Sequence, residues 1–257
     1  MQNQAAQIRS YFDAAAGEYS RGREHEFSFV AQKHIALEQL PRRLKRVLDV
    51  GCGPAVMAEK LLERARGYWG IDLSAQMIAH GCARMATHPL RSRCHLGVGD
   101  AEAMSFGDGF FDAVVSLGMI EYLPSYERAL AEMFRVLRPG GVAVLAVPNR
   151  ASAYHRSRQA SAALRSFLKR LLKRAPRPSE RFITNRCVPA DLDGKLARAG
   201  FQKVEGRYCN FIFHPLHELH LGASMAINRR LCGRVPPPLA PWLGTQYVVK
   251  VMKPHAH

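Results

Sequence analysis

Val47-Leu48-Asp49-Val50-Gly51-Cys52-Gly53-Pro54 joins an apolar run to two glycines one residue apart, and Asp72 follows 21 residues after Gly51. Glycines in that spacing let a strand turn sharply into a helix and let a ligand approach the backbone without meeting a Cβ. A carboxylate at the end of the next strand stands where a nucleotide ribose would share its two hydroxyls. Val56 occupies the place of the last glycine in a dinucleotide fingerprint, and Asp49 would repel a pyrophosphate but suits a cation. The chemistry indicated is that of a nucleoside ligand carrying positive charge. Cys52 reads as a small turn filler, since no basic neighbour in sequence would lower its thiol pKa.

His214, His217 and His220 form an H-x-x-H-x-x-H pattern that invites a metal reading. On a helix, three-residue steps turn the third ligand about 120° from the first, so the set converges poorly. Pro215 disturbs any helix there. No metal is expected. His155, His214, His217, Glu121 and Tyr122 are candidates for a general base, and nothing in the sequence singles one out.

The elements that must position these residues alternate regularly. Helices are predicted over Gln4–Ala16 and Glu24–Leu40, with Gly17–Gly22 as the break. Strands follow at Arg46–Val50, Tyr68–Ile71, His95–Val98, Phe111–Ser116 and Val142–Val147. Helices at Ala55–Arg66, Ala75–Ala86 and Glu127–Val136 intervene, with Ser74 as the N-cap of the second. Strand–helix–strand units of this length imply a parallel sheet with right-handed crossovers. A helix at Ala190–Ala199, a strand near Phe201–Tyr208 and another at Gln246–Met252 complete the pattern. The expectation is an α/β, Rossmann-like, doubly wound sheet of seven mostly parallel strands, with a helical N-terminal lid and two helical insertions. Residues 1–150 would hold the lid and the cofactor-binding half, 151–189 a basic insertion, and 190–257 the remaining core with a second insertion near 210–244.

Five segments, in order and spacing, resemble the motifs of class I S-adenosylmethionine-dependent methyltransferases: Leu48-Asp49-Val50-Gly51-Cys52-Gly53, Gly70-Ile71-Asp72-Leu73-Ser74, Gly99-Asp100-Ala101-Glu102, Phe111-Asp112-Ala113-Val114 and Leu137-Arg138-Pro139-Gly140-Gly141. More narrowly they look like the small-molecule branch that includes ubiquinone and menaquinone biosynthesis methyltransferases, over about residues 8–150 and 190–209. Ala55 departs from the pattern, which usually has a third glycine. The resemblance implies S-adenosylmethionine as cofactor and S-adenosylhomocysteine as product. By the same resemblance Asp49, Gly51 and Gly53 would hold the methionine moiety. Asp72 would take the ribose hydroxyls, with Leu73 and Met77 near the adenine. Asp100 would accept from the adenine amino group, beside the Ala101 N–H, and Leu117 would face the reactive end. Tyr11 and Tyr19 resemble the family's aromatic lid.

The chain has 257 residues with 47% hydrophobic and 23% charged, an ordinary globular composition. No apolar run approaches the ~18–20 residues of a membrane span, and Met1–Ser10 lacks the apolar core of a secretory signal. Six cysteines without C-x-x-C spacing read as reduced thiols of a cytoplasmic protein. The net charge is +16, and residues 151–189 alone carry ten basic residues against Glu180. Within Arg156–Arg174 a leucine stripe (Leu164, Phe167, Leu168, Leu171, Leu172) opposes Arg165, Lys169, Arg170, Lys173 and Arg174. Three readings of that insert stand open: a lid helix over the active site, a contact with anionic membrane that Trp242 and Leu239 would reinforce, and a nucleic-acid face. The last is the weakest, because Leu117-Gly118-Met119-Ile120-Glu121-Tyr122 lacks the motif with which amino-methyltransferases hold a flipped base. The function expected is methyl transfer to an oxygen or nitrogen of a small lipophilic or aromatic acceptor. The alternatives are an RNA-modifying enzyme or a non-catalytic cofactor-binding scaffold. Oligomeric state is not legible.

Overall fold

The computed structural model of the chain describes residues 2–22, 27–161, 187–214 and 216–255. Seven strands form one sheet: β1 (Leu44–Val50), β2 (Ala65–Asp72), β3 (Cys94–Val98), β4 (Phe111–Leu117), β5 (Leu137–Pro148), β6 (Gln202–Phe211) and β7 (Gly244–Met252). Their order is β3-β2-β1-β4-β5-β7-β6. The first five pair in parallel, whereas β7 lies antiparallel between β5 and β6. This is the doubly wound, mostly parallel sheet that the strand–helix alternation predicted.

Alternation of side chains along the central strands builds a core on each face. Val47, Val115, Val144 and Val248 pack on one side, against α2 (Phe27–Gln39), α3 (Ala58–Leu62) and α4 (Ala75–Met85). Leu48, Val114, Leu145 and Val249 pack on the other, against α5 (Glu127–Val136) and a helix we number α7 (Pro189–Arg198). Every residue of β4 is buried, as its unbroken apolar run requires of a strand covered on both faces.

Several boundaries differ from the sequence expectation. Helix α1 (Gln2–Gly22) runs straight through Gly17; a helical glycine costs only about 1 kcal/mol, and α1 docks along α4. Helix α3 is five residues long, not the predicted Ala55–Arg66. Ala55 has φ 55°, a left-handed conformation that cannot start a helix. At the other end, pairing of Leu44 with Ala65 draws the segment into β2. β5 begins at Leu137, ahead of the predicted Val142, through the partner it finds at Phe111.

After β5 comes α6 (Ala153–Ala160). Residues 162–174 of the predicted Arg156–Arg174 helix lie outside the described residues. Between β6 and β7 lie α8 (Leu216–Leu219), α9 (Leu221–Leu231) and α10 (Ala240–Leu243). The predicted helix over Leu216–Leu231 is therefore split, at His220, whose backbone leaves the helical region (φ −136°, ψ 79°). Asn149, just past β5, fastens this insertion: its Nδ2 donates to the carbonyls of Pro241 (2.7 Å) and Gly244 (2.8 Å). Asn228 Oδ1 accepts from the Phe211 N–H at 2.8 Å. Among the described residues no helix is long and apolar enough to cross a membrane.

Candidate active site

The strand order reverses between β1 and β4, and open α/β sheets bind ligands beyond the C-terminal strand ends at such a point. A cavity of about 600 Å³ lies there. The end of β1 and its turn give it Gly51 and Gly53, the end of β2 gives Asp72 and Leu73, and α4 gives Met77. Asp100, Ala101 and Glu102 follow β3, Leu117 ends β4, and Gly118, Met119 and Tyr122 come after it. Helix α1 closes it with Ala5, Ile8, Phe12 and Tyr19.

The glycine turn is as tight as its sequence suggests. Gly51 has φ 72°, and a Cβ there would stand 2.4 Å from the Met119 side chain. Its N–H and that of Cys52 both donate to the Ile71 carbonyl, at 2.8 and 3.0 Å, which pins the turn to the end of β2. Asp72 is held from both sides: the Gly53 N–H donates to Oδ2 and the Ser74 N–H to Oδ1, each at 2.9 Å. Burial raises its pKa and the two amides oppose that, while Asp13 nearby adds repulsion. Asp100 is set similarly, its Oδ1 accepting from the Glu102 N–H at 2.8 Å.

Asp49 and Tyr11 are placed differently. Asp49 is buried under the glycine turn and is not part of the cavity lining. Tyr68, in β2, donates its hydroxyl to Asp49 Oδ2 at 3.0 Å. Burial pushes the Asp49 carboxyl up to about 7, against the Tyr68 hydrogen bond and with help from Asp72. Tyr11 packs edge-on against Phe12, and it is Phe12 that lines the cavity and meets Tyr122 and Tyr19 at 5.0 and 6.0 Å. Ile8, Phe12 and Tyr19 form one stripe at helical spacing along α1, which is the sequence signal that selects Phe12 over Tyr11. Asp13, Tyr68 and Met119 carried no sequence signal beyond residue type.

Of the base candidates, Tyr122 alone lines the cavity. Glu121 is buried on the short turn Ile120–Tyr122. His155, His214 and His217 gather elsewhere, around the Tyr154 ring at 5.3, 6.3 and 6.1 Å. His155 Nδ1 lies 2.9 Å from the Asn149 carbonyl, which can only accept, so that nitrogen carries the proton. Burial, with Arg150 and Arg158 nearby, holds the His155 pKa down at about 4. His217 Nδ1 meets Ser224 Oγ at 3.2 Å. The Cys52 thiol is pushed well up by burial, which leaves it unreactive.

A methyltransferase-domain family model matches residues 47–141, the span that carries the glycine turn and the cavity carboxylates Asp72, Asp100 and Glu102. A ubiquinone biosynthesis O-methyltransferase from Psychrobacter cryohalolentis is 30% identical over 194 residues, covering 75% of this chain and 72% of that one. The chain belongs to the class I S-adenosylmethionine-dependent methyltransferases. A malonyl-[acyl-carrier protein] O-methyltransferase from Geobacter sulfurreducens is 33% identical over 162 residues, 62% of this chain and 57% of the relative. Among solved structures, a Haloferax volcanii methyltransferase in complex with the Trm112 activator superposes with a TM-score of 0.69 at 20% identity, covering 97% and 99% of the two chains. That likeness is one of fold. S-adenosylmethionine is the cofactor of this methyltransferase family, and the cavity suits it. Its volume is in the usual range for small-ligand sites, carboxylates stand at the ends of β2 and β3, and at the end of β1, on the other side of β2, Gly51 and Gly53 present backbone without a Cβ.

Proposed function

We propose that this methyltransferase transfers the methyl group to an oxygen or nitrogen of a small lipophilic or aromatic acceptor. One observation carries the reading: besides Asp72, Asp100, Glu102 and Arg128, the cavity is lined largely by apolar side chains, among them Ala5, Ile8, Phe12, Met119, Tyr122 and Leu123. In this reading Asp72 accepts from the ribose hydroxyls and Asp100 from the adenine amino group, beside the Ala101 N–H. Leu73 and Met77 pack on the adenine. Gly51 and Gly53 border the methionine moiety, and Asp49 acts from beneath them on its ammonium. Leu117 and Tyr19 face the reactive end.

The bound sulfonium supplies an already activated methyl group. The protein's part is alignment and exclusion of water, and α1 with Phe12 against Tyr122 serves both. Incubation with methyl-labelled S-adenosylmethionine and a panel of phenols, quinols, carboxylic acids and amines, in excess chelator, tests this. Labelled apolar product is expected. Turnover confined to RNA, or none with any acceptor despite ligand binding, overturns it.

Peripheral contact with anionic membrane fits the same reading. Leu219 (70% exposed), Leu221 (60%), Leu239 (51%) and Trp242 (57%) stand out on the β6–β7 insertion. The Arg156 guanidinium lies 5.5 Å over the Trp242 ring, and Arg229, Arg230 and Arg234 line one surface depression. Apolar tips among arginines suit a lipid interface better than an RNA backbone, which calls for charge and stacking.

A further inference from the structure

Helix α1 covers the cavity, and its Asp13 ties it to the core beside the cofactor carboxylate. Asp13 Oδ1 accepts from the Ser74 hydroxyl at 2.6 Å and from the Gln76 N–H at 3.2 Å. Ser74 is the N-cap of α4, where its Oγ also accepts from the Met77 N–H at 3.1 Å. Its own N–H donates to Asp72 Oδ1 at 2.9 Å. Two of the free amides at the start of α4 are thus shared between the local cap and a carboxylate delivered by another helix. Ser74 is buried, at 1% exposure, and it is the only residue between Asp13 and Asp72 in this chain of hydrogen bonds.

We propose that Asp13 is a positioning residue that couples closure of α1 over the cavity to the setting of the Asp72 carboxylate. The lid and the S-adenosyl ligand then strengthen each other's hold. The inference rests on the assignment of Asp72 to the ribose. When α1 lifts, the Ser74 hydroxyl loses its acceptor and the Gln76 amide turns to water. The Asp72–Ser74 turn loses its outer brace, and Asp72 is no longer preset for a ligand. A ligand seated against Ile8, Phe12 and Tyr19 is contacted by α1 only when α1 is down. Linkage requires the two effects to be equal: the factor by which closure tightens the ligand is the factor by which the ligand favours closure. An Asp13 that served stability alone would change the unliganded protein and leave the ligand's effect on α1 untouched.

The test is calorimetric titration of S-adenosylhomocysteine into the full chain, paired with amide hydrogen exchange across residues 2–22 with and without that ligand. In the wild type the ligand slows exchange in α1. In Asp13→Ala, affinity is expected to fall about 5- to 30-fold, within the usual span of coupling between sites, and the ligand should no longer slow α1. Asp13→Asn keeps an acceptor oxygen for both donors and is expected to lose less than about fivefold. Ser74→Ala removes the same junction from the core side. Combined with Asp13→Ala it should add little to the loss of affinity, because the two act as one unit; Ser74→Ala by itself serves if Asp13→Ala folds poorly. Asp13→Ala affinity within twofold of wild type overturns the coupling, as does ligand-dependent protection of α1 that survives the substitution. A wild type that fails to bind S-adenosylhomocysteine strikes the assignment of the cavity itself, a separate outcome.

Discussion

Asp49 shows how burial sets the working pH of a carboxylate. Its pKa is raised from the ordinary 3.8 to about 7, first by burial. Between those values the folded protein keeps a proton that the unfolded chain has released, so the stability of the unliganded protein falls as pH rises from about 4 to about 7. Above that range the ionised carboxylate is a buried charge awaiting a cation. S-adenosylhomocysteine affinity should therefore rise with pH through about 7 and then level off. Asp49→Asn should abolish that slope and, at pH 8, make the unliganded protein more stable by up to about 4 kcal/mol. Asp72→Ala should weaken binding at least ~10-fold at every pH, by loss of hydrogen bonds worth about 1.5–3 kcal/mol each before compensation, with the slope kept. Titrations between pH 5.5 and 8.5 separate the two; a flat wild-type profile would sink the role given to Asp49.

At the scale of elements, Asp112 at the start of β4 holds three of them together. Its Oδ2 accepts from the Lys45 and Arg46 N–H groups of β1, at 2.9 and 2.7 Å, and its Oδ1 takes Arg138 Nε of β5 at 2.8 Å. Burial alone would raise its pKa, but the Arg46 amide and Arg138 outweigh that, and the net shift is downward. A lowered carboxyl contributes stability above its unfolded value and loses it as pH falls through the folded one. Asp112→Ala orphans two amides at the register of β1 with β4 and should cost about 2–3 kcal/mol. Asp112→Asn, which keeps an acceptor, should cost less. Urea unfolding at pH 7 measures both, and a change below about 0.5 kcal/mol in the alanine variant would show the contacts to be idle. The acid in Phe111-Asp112-Ala113-Val114 thus reads as a strand clamp, away from the cavity.

Over the whole molecule the +16 charge and the exposed leucines and Trp242 point the same way. Each cation near an anionic bilayer adds up to about 1 kcal/mol, screened by salt. The chain has two tryptophans, of which Trp69 is partly buried against Phe110 and Phe111 and Trp242 is exposed. Anionic vesicles at low salt should co-sediment the protein and shift its tryptophan emission to the blue. Neutral vesicles or high salt should do neither, and Trp242→Phe should remove the shift. No co-sedimentation at low salt would end the membrane proposal and with it a reason for preferring a lipophilic acceptor.

The architecture was legible because its signals are local. Buried parallel strands read as apolar runs, as Phe111–Leu117 does. The Gly51–Gly53 turn and Asp72 sit within one strand–helix–strand unit, so spacing alone nearly places them. Ser74 precedes the helical pattern as an N-cap should, and its hydroxyl accepts from the Met77 N–H. What the sequence could not decide depends on pairing across distance. The short α3 follows from the pairing of Ala65 with Leu44, and the unbroken α1 from its docking on α4. That Asp49 sits under the wall while Asp72 stands in it depends on Tyr68 lying in the neighbouring strand. That Phe12, not Tyr11, faces the cavity depends on the rotation at which α1 docks. Asp13 is 61 residues from Ser74, and no local pattern carries information about a contact of that span. Local propensity and periodicity determine which segments become strands and helices; only packing sets the few ångströms and degrees that decide which side chains share a cavity.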